Sequence, residues 1–246
     1  MTFSPLHPPK KQLGIDLVKI ITDAGTYSPR SKQKAIGPSE AGQDCTRKLA
    51  YKLLDWPESN VGSSSNWAAQ VGTAIHAHLA TIFEKLEDYE VEQRVTIRAG
   101  LSGTVDLFHK PSGTVIDWKT TNNVDSKRRN ISNQNIVQVQ LYGYGKAQEG
   151  VEVKQVALIY LPVTGDLDDL HVELHDYDEA VALAALTRID NIYTLLSTVD
   201  VESNPQMWQH IPTAPGRLCN YCPYFKPYSN DLEQGCNGDT VTNESQ

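Results

Sequence analysis

The sequence contains no apolar run that approaches the length of a membrane span, and its first residues lack the apolar core of a signal peptide. It is not basic either: the formal net charge is −8, which argues against a histone-like protein held to nucleic acid by overall charge. A local basic track would still allow an enzyme to act on nucleic acid, because carboxylate metal sites themselves add negative charge. We therefore expect a cytoplasmic protein without membrane contact.

Two kinds of catalytic motif are also missing. The sequence has no glycine-rich loop that could cradle phosphates and no Ser-His-Asp set, which disfavours ATP hydrolysis and covalent catalysis. Any helicase partner would therefore be a separate chain. A zinc-dependent transcription module is disfavoured by the acidic balance and by the lack of a basic recognition helix. With 39% hydrophobic and 21% charged residues, the composition is that of a globular protein.

Cysteine is scarce, with four residues in the chain: Cys45, Cys219, Cys222 and Cys236. In a cytosolic protein, a C-x-x-C pair with two further cysteines indicates a metal or cluster site rather than disulfides. Four thiolates suit a 4Fe-4S cluster or a structural zinc ion, and the spacing does not decide between them. The surrounding segment 211–236 has little periodic pattern, so we expect it to build little core and to need the metal.

The most informative stretch runs from residue 101 to residue 120. It predicts a hairpin of two strands, Leu101–His109 and 114–120, joined by a turn at Lys110-Pro111-Ser112-Gly113. Proline pre-sets a turn angle and glycine permits positive φ, so this turn suits the connection. The polar content of these otherwise apolar strands is unusual.

The charged residues of the hairpin are Asp106, Asp117 and Lys119. Asp117 and Lys119 share one face of their strand, and Asp106 on the paired strand can face the same way. Two carboxylates about 4 Å apart repel by roughly 4 kcal/mol at an effective dielectric near 20, and a divalent cation such as Mg²⁺ turns that repulsion into binding. The alternative is a solvated sheet edge, which the apolar neighbours on both sides make less favourable.

The remaining patterns predict the order helix, three strands, helix, strand, which indicates an α/β sheet domain. Predicted helices cover 13–21, 38–54, 67–87, 138–148 and 177–199, and further strands cover 90–97, 156–161 and, at an edge, 169–175. Residues 1–12 are expected to be loose, 26–37 to form a basic connector, and 55–66 and 121–135 to be polar connections. We divide the chain into an extension, 1–37, a core, 38–204, a cysteine segment with Cys45, 205–236, and a disordered tail, 237–246.

Other candidate residues lie outside the hairpin. The helix 67–87 carries His76 and His78 on either side of its apolar stripe, and periodicity does not choose between them. Gln138 and Tyr142 are one helical turn apart and share a face. The basic triplet Lys127-Arg128-Arg129 follows the hairpin closely, so it is a candidate contact for backbone phosphates.

These motifs occur in a specific order: His76 in G-T-A-I-H, Asp106 in G-T-V-D, D-W-K at 117–119, and Q-V-Q-L-Y at 138–142. The order resembles the RecB-like branch of the PD-(D/E)XK nucleases, whose fold is a restriction-endonuclease-like α/β core. One cysteine before the core and a cluster after it resemble the iron–sulfur subset, which includes the AddB nuclease domain and the CRISPR-associated and phage RecB-like exonucleases. The resemblance covers about residues 38–236.

The resemblance implies a role for each matching residue around the metal. His76, rather than His78, is similar to the helical metal-ligand histidine, Asp106 and Asp117 are similar to the metal-binding acids, and the carbonyl of Trp118 completes the shell. Glu92 is a further carboxylate that could serve as an outer ligand.

For the remaining positions, the resemblance implies that Lys119 positions or activates the attacking water and that Gln138 and Tyr142 contact DNA and support the site. It favours a 4Fe-4S cluster over zinc at the four cysteines, although the interval between Cys222 and Cys236 is longer than is common in the family.

The function implied is a metal-dependent DNA exonuclease that uses Mg²⁺ or Mn²⁺ and prefers single-stranded ends. Its setting would be phage or bacterial recombination, repair or CRISPR adaptation, with a recombination or helicase protein as a possible partner. Two alternatives stay open: a structure-specific endonuclease on the same site, and a non-catalytic module that binds DNA ends. The complete set of acids and lysine favours an active enzyme.

Overall fold

The centre of the molecule is a mixed five-stranded sheet in a computed structural model that describes residues 8–26, 36–60, 67–214 and 217–238. The strands lie in chain order, and only β3 and β4 run parallel. Their bounds are Tyr89–Arg98 (β1), Leu101–His109 (β2), Thr114–Thr121 (β3), Gln155–Pro162 (β4) and His171–Asp176 (β5).

Helices precede, connect and follow the strands. They are Pro8–Thr26 (α1), Pro38–Ala41 (α2), Thr46–Leu53 (α3), Trp67–Phe83 (α4), Val124–Arg129 (α5), Asn133–Gln148 (α6) and Glu179–Val199 (α7), with 3-10 turns at Leu167–Asp169, Pro205–His210 and Arg217–Tyr221. Parallel neighbours such as β3 and β4 need a crossover, which α5 and α6 provide. The predicted order of helix, three strands, helix and strand is confirmed in α4, β1 to β3, α6 and β4. None of the helices in the described ranges combines the length and apolar character needed to span a bilayer.

Helix α4 packs on one face of the sheet and α6 packs on the other. On one face, Ile75, Leu79 and Phe83 of α4 pack against a small cluster that includes Trp118 and Ile159. On the other face, α6 is buried along most of its length, because it packs on the sheet and also against α2 and α7. A helix enclosed in this way holds its polar side chains in fixed positions, which matters for the site below.

The pairing of β2 with β3 is short and sets the shape of the site. The ladder consists of Leu107 with Ile116, Phe108 with Val115, and His109 with Thr114. Beyond it, β2 stays paired with β1 and β3 stays paired with β4. The two strands therefore separate at this point, and the next residues on either side of the fork are Asp106 and Asp117.

A separate core joins α3 to the C-terminal segment. Tyr51 of α3 stacks on Trp208 with ring centroids 4.0 Å apart and on Tyr224 at 5.1 Å. Tyr51 also donates a hydrogen bond to the carbonyl of Leu232 at 2.5 Å, and buried Arg47 donates to the carbonyl of Ile211 at 3.0 Å. The expectation that 211–236 builds little core was wrong, because the apolar partners of this segment lie in distant parts of the chain and leave no local period.

Several predicted boundaries differ from the structure. The single helix predicted over 38–54 is two helices, α2 and α3, separated near Gly42. A Cβ on Gly42 would lie 2.8 Å from the Cα of Gln134 in α6, so tight packing against α6 fixes this point of the chain. Cys45 then caps α3, where its sulfur accepts a hydrogen bond from the amide of Lys48 at 3.4 Å.

Other differences concern lengths. Residues 8–12, expected to be loose, are part of α1, and α6 begins at residue 133 rather than 138. The helix predicted over 67–87 ends at Phe83, and the polar connection 121–135 contains α5, which is capped by the side chain of Asn123. Most of the predicted tail and parts of the connectors 26–37 and 55–66 lie outside the described residues.

Candidate active site

The fork between β2 and β3 is bridged by a side chain. Asp106 Oδ2 accepts a hydrogen bond from the backbone amide of Trp118 at 2.8 Å, although no backbone pair joins the strands there. The other oxygen, Oδ1, lies 3.4 Å from Nδ1 of His76 on α4. Asp106 therefore connects the sheet to the covering helix, and it is His76 rather than His78 that faces the carboxylate. The indole of Trp118 points away from the fork and packs near Phe83.

Asp117 and Lys119 share one face of β3, as the strand period predicts. Asp117 Oδ2 lies 2.7 Å from Lys119 Nζ. This is an ion pair in which Oδ2 accepts no hydrogen bond of regular geometry from the described residues, although Asp117 is only 3% exposed. A deeply buried carboxylate oxygen of this kind retains capacity for another ligand.

Gln138 of α6 holds this pair in place. Its Nε2 donates to Asp117 Oδ1 at 3.1 Å and lies 3.1 Å from the hydroxyl of Tyr142, while its Oε1 accepts from Lys119 Nζ at 2.8 Å. These contacts are possible because residues 138 and 142 are one turn apart on the buried face of α6. One glutamine thus orients the acid, the amine and the phenol together.

Burial determines the electrostatics of the site. It raises the pKa of Asp117 from 3.8 to about 6; the charge of Lys119 opposes this shift and the charge of Asp106 adds to it. Burial alone lowers the pKa of His76, but the contact with Asp106 and the charge of Asp117 outweigh it, so this pKa lies above the ordinary 6.5. The shift of His76 reflects the neighbouring carboxylates, whereas that of Asp117 reflects mainly burial, and a bound cation would favour the ionised form of Asp117.

These side chains line one open cleft of about 690 Å³ between α4, the β1–β2 hairpin and the start of α2. The predicted residues that the cleft brings together are His76, Glu92, Asp106, Asp117, Lys119, Gln138 and Tyr142, whereas Trp118 is not among its lining residues. The basic triplet 127–129 is not among its lining residues. Arg128 instead forms an ion pair with Asp125 at 3.0 Å and donates to the carbonyl of Asp169 at 3.0 Å.

Two residues that line the cleft, Arg94 on β1 and Ser102 on β2, were not predicted from the sequence. They hydrogen-bond to each other across the two strands. The alternation around Arg94 shows which residues share a face, but not that the face borders the cleft. Gly103 was quoted only as part of a motif, and the structure gives it a function. A Cβ on Gly103 would lie 2.6 Å from Tyr142 Cε1 and 2.9 Å from Pro38 Cγ, so only glycine leaves room for the phenol.

Carboxylate oxygens with an imidazole suit Mg²⁺ or Mn²⁺. In the described parts of the chain, no three His, Cys, Asp or Glu side chains are already arranged to hold an ion. The fit therefore rests on the chemistry of the donors and on the buried Asp117 oxygen that accepts no hydrogen bond. His76, Asp106 and Asp117 supply suitable donors from three elements that meet at the fork.

The four cysteines line a second, smaller cavity of about 110 Å³ together with Tyr51, Lys48 and Tyr224. All four are free thiols, and Cys236 is buried. Burial raises the pKa of Cys222, and the neighbouring Cys45 and Cys236 add to that shift. These thiols, from the N-cap of α3 and the C-terminal segment, are donors that bind metals as thiolates, but in the described residues they are not already arranged to hold a metal ion.

Residues 37–226 match the family model described as the PD-(D/E)XK nuclease superfamily. The match covers well over half of the chain, so the chain belongs to the PD-(D/E)XK nuclease superfamily. Nucleases of this superfamily generally use divalent metal ions. A search of curated protein sequences finds no match.

Among solved structures, LHK-Exo from Laribacter hongkongensis in complex with dAMP has a TM-score of 0.51 at 14% identity; the match covers 73% of this chain and 95% of LHK-Exo. The protein SSO0001 has a TM-score of 0.49 at 17% identity, with 85% and 92% covered. A phage related exonuclease from Haemophilus somnus 129PT has a TM-score of 0.46 at 11% identity, with 65% and 82% covered. At these identities the likeness to LHK-Exo concerns the fold alone.

Proposed function

We propose that this protein is a metal-dependent DNA exonuclease that hydrolyses phosphodiester bonds, preferring single-stranded ends. One observation carries the proposal: two carboxylates, a histidine, a lysine and a buried glutamine converge where β2 and β3 separate, in an open cleft of about 690 Å³. LHK-Exo, which shares the fold, is an alkaline exonuclease solved with dAMP, and the proposal is compatible with that likeness.

His76, Asp106 and Asp117 would hold Mg²⁺ or Mn²⁺, with the carbonyl of Trp118 beside them. When bound, such an ion acidifies the attacking water and stabilises negative charge on the phosphoryl group and leaving oxygen. Asp106 is held by Trp118 and Asp117 by Gln138, so neither needs to reorganise when the cation arrives.

Lys119 would act on the nucleophile. Its ammonium group lies between Asp117 and Gln138, and it is 23% exposed at the cleft wall. From this position it can orient a water molecule and stabilise its deprotonated form. Gln138 keeps the lysine pointed into the cleft, and Tyr142 supports Gln138 and can contact DNA.

For the cysteine cavity we propose a 4Fe-4S cluster, with structural zinc as the alternative, held by Cys45, Cys219, Cys222 and Cys236. Its role would be to fasten the segment 205–236 to α3. We also propose a cytoplasmic location and a role in recombination, repair or CRISPR adaptation with a separate partner protein. The proposed division of the chain is 1–37, 38–204, 205–236 and 237–246. The triplet Lys127, Arg128 and Arg129 would contact DNA outside the cleft.

The test is digestion of end-labelled single-stranded DNA with Mg²⁺ or Mn²⁺ by the wild type and by Asp117→Ala. Asp23→Ala is the control, since this aspartate is paired with Lys19 at the surface of α1. We expect metal-dependent release of labelled mononucleotides that is lost in Asp117→Ala and kept in Asp23→Ala. Cleavage of circular single strands would indicate an endonuclease instead. DNA binding without cleavage by the wild type would indicate the non-catalytic module.

A further inference from the structure

We propose that Arg94 is a substrate-binding residue that contacts a backbone phosphate of the DNA strand at a distance from the reacting phosphate. The inference rests on the proposed nuclease function and identifies where the strand runs. Arg94 lies on β1 opposite Thr104 of β2, and its guanidinium donates to the hydroxyl of Ser102. All three residues line the same cleft as the carboxylates.

Strand β2 presents a continuous row of polar side chains, here called the track, that leads toward the carboxylates of the proposed reaction centre. Ser102, Thr104 and Asp106 alternate along β2, so they follow one another along the strand, and each lines the cleft. Arg94 sits at the Ser102 end of this track and the acids sit at the other. A strand of DNA laid along the track would meet Arg94 first and the fork second.

The balance of charge explains why a cation is needed at this place. Glu92, Asp106 and Asp117 all line the cleft, and the whole chain has a formal net charge of −8, so a polyanion is repelled unless local cations attract it. Lys119 lines the cleft too, but it is engaged by Asp117 and Gln138. In the part of the chain that the structure describes, Arg94 forms no ion pair, and its partner Ser102 is neutral.

The chemistry of the guanidinium group suits a phosphate ligand. Arginine presents five N–H donors in a planar fork that matches two phosphate oxygens, and the bond to Ser102 leaves most of them available. The hydrogen bond to Ser102 holds the guanidinium group of Arg94 against β2, and this lowers the entropy that is lost when a phosphate binds.

Position along the track decides what Arg94 does. Ser102 and Asp106 are four residues apart, a distance of about 13 Å in an extended strand. Arg94 therefore contacts the substrate at least one nucleotide from the reacting phosphate. It should strengthen binding of a strand without taking part in the hydrolysis itself.

The experiment compares Arg94→Ala with Arg98→Ala, the next arginine on β1, which pairs with Asp190 at 2.8 Å and does not line the cleft. Two substrates are used with the same metal: an end-labelled oligonucleotide and bis(p-nitrophenyl) phosphate, which has a single phosphodiester. For Arg94→Ala we expect KM for the oligonucleotide to rise roughly 10- to 100-fold, as for loss of a charge-assisted contact, with kcat within about twofold. Turnover of bis(p-nitrophenyl) phosphate and both activities of Arg98→Ala should stay at the wild-type level.

A binding measurement separates this inference from the proposed function. Fluorescence anisotropy of a labelled oligonucleotide in EDTA, at several salt concentrations, should show weaker binding by Arg94→Ala and a salt dependence reduced by about one phosphate contact. Arg94→Lys should bind the oligonucleotide with an affinity between those of the wild type and Arg94→Ala, because lysine keeps the positive charge but lacks the planar set of N–H donors. Unchanged binding and KM in Arg94→Ala, or equal losses on both substrates, would overturn the inference. A wild type that binds DNA through Arg94 but cleaves nothing would refute only the nuclease function.

Discussion

The carboxylate of Asp106 accepts a hydrogen bond from the backbone amide of Trp118 at 2.8 Å, directly beyond the last paired residues of β2 and β3. A side chain thus replaces a backbone acceptor at the fork and keeps the two strands together while they diverge. The same bond fixes the carboxylate so that its second oxygen faces His76. Asp106 therefore has a structural role in the hairpin and a proposed role as a metal ligand, and the two can be separated.

Replacing Asp106 by asparagine and by alanine separates them. Asparagine keeps an oxygen that can accept from Trp118, whereas alanine leaves that part-buried amide without its partner. We expect both variants to lose nuclease activity, but Asp106→Ala to be less stable than Asp106→Asn by about 1–2 kcal/mol, the cost of an unsatisfied donor. Urea unfolding measures the difference. Equal stabilities would show that the bond does not support the fork.

Gln138 provides a test with a close control. Gln138 and Gln140 lie on the same helix, each is 3% exposed, and each makes hydrogen bonds through its amide group. Gln138 orients Asp117 and Lys119, while Gln140 bonds to the backbone of Asp176 and Asp178. We expect Gln138→Ala to lower kcat by at least roughly 10-fold, because two reacting groups lose their orientation.

Gln140→Ala should reduce stability to a similar extent, by about 1–3 kcal/mol, and leave kcat close to that of the wild type. Single-turnover rates measured below the unfolding range of both variants provide the comparison. Equal losses of kcat would mean that Gln138 acts only through stability.

Gly103 is expected to be sensitive to the smallest substitution. An added methyl group would lie 2.6 Å from the ring of Tyr142 and 2.9 Å from Pro38, so the phenol must move away from Gln138. We expect Gly103→Ala to lose about 1–3 kcal/mol of stability through overpacking and to lower activity. Gly14→Ala is the control, because a methyl group there meets nothing within 4 Å. Wild-type activity in Gly103→Ala would show that the position of Tyr142 is unimportant.

The periodicity of the chain was sufficient to predict the sheet and much of the cleft. Asp117 and Lys119 share a face because of the strand period, and Gln138 and Tyr142 share one because of the helix period. Arg94 could not be placed in the same way, because the separation of β2 from β3 depends on which strands stay paired. A local irregularity adds to the difficulty: Glu92 adopts a left-handed φ of 51° within β1, which alternation alone does not reveal.

The C-terminal segment was underestimated for a related reason. Trp208 and Tyr224 are buried against Tyr51, whose position in the chain is far from both. Contacts between such distant segments produce no period, so only the folded chain shows them.

The raised pKa of Asp117 makes metal affinity depend on pH. In the metal-free protein, burial favours the neutral carboxyl, so its contribution to stability is complete below pH 3.8 and is lost as pH rises through about 6. A cation requires the ionised form, and a proton must leave first. We expect Mn²⁺ affinity, measured by electron paramagnetic resonance, to fall up to about tenfold for each pH unit below 6 and to be nearly constant well above 7.

His76 also competes for protons, since its pKa lies above 6.5. His76→Gln removes that contribution, and the pH dependence that remains near pH 6 is then due to Asp117. Affinity that does not change between pH 4 and 6 in this variant would exclude Asp117 as a ligand.

The cysteine cavity leads to a prediction about the metal content of the protein as well as its stability. Protein prepared without oxygen should contain iron and acid-labile sulfide if the cavity holds a 4Fe-4S cluster, or one zinc ion if it holds structural zinc. Cys222→Ala should lose that metal and lower Tm by roughly 10 °C, or about 3–4 kcal/mol, because the stack of Tyr51, Trp208 and Tyr224 loses its neighbouring crosslink.

Thr213→Val is the matched control, since Thr213 lines the same cavity but supplies no sulfur. It should retain the metal and lose less stability than Cys222→Ala. The near-ultraviolet circular dichroism of the aromatic stack should change in Cys222→Ala and not in Thr213→Val. Because the proposed role is structural, Cys222→Ala should still cleave bis(p-nitrophenyl) phosphate at low temperature, where it stays folded. A wild type that contains no metal, or a Cys222→Ala protein with unchanged metal content and Tm, would contradict the assignment of these cysteines as ligands.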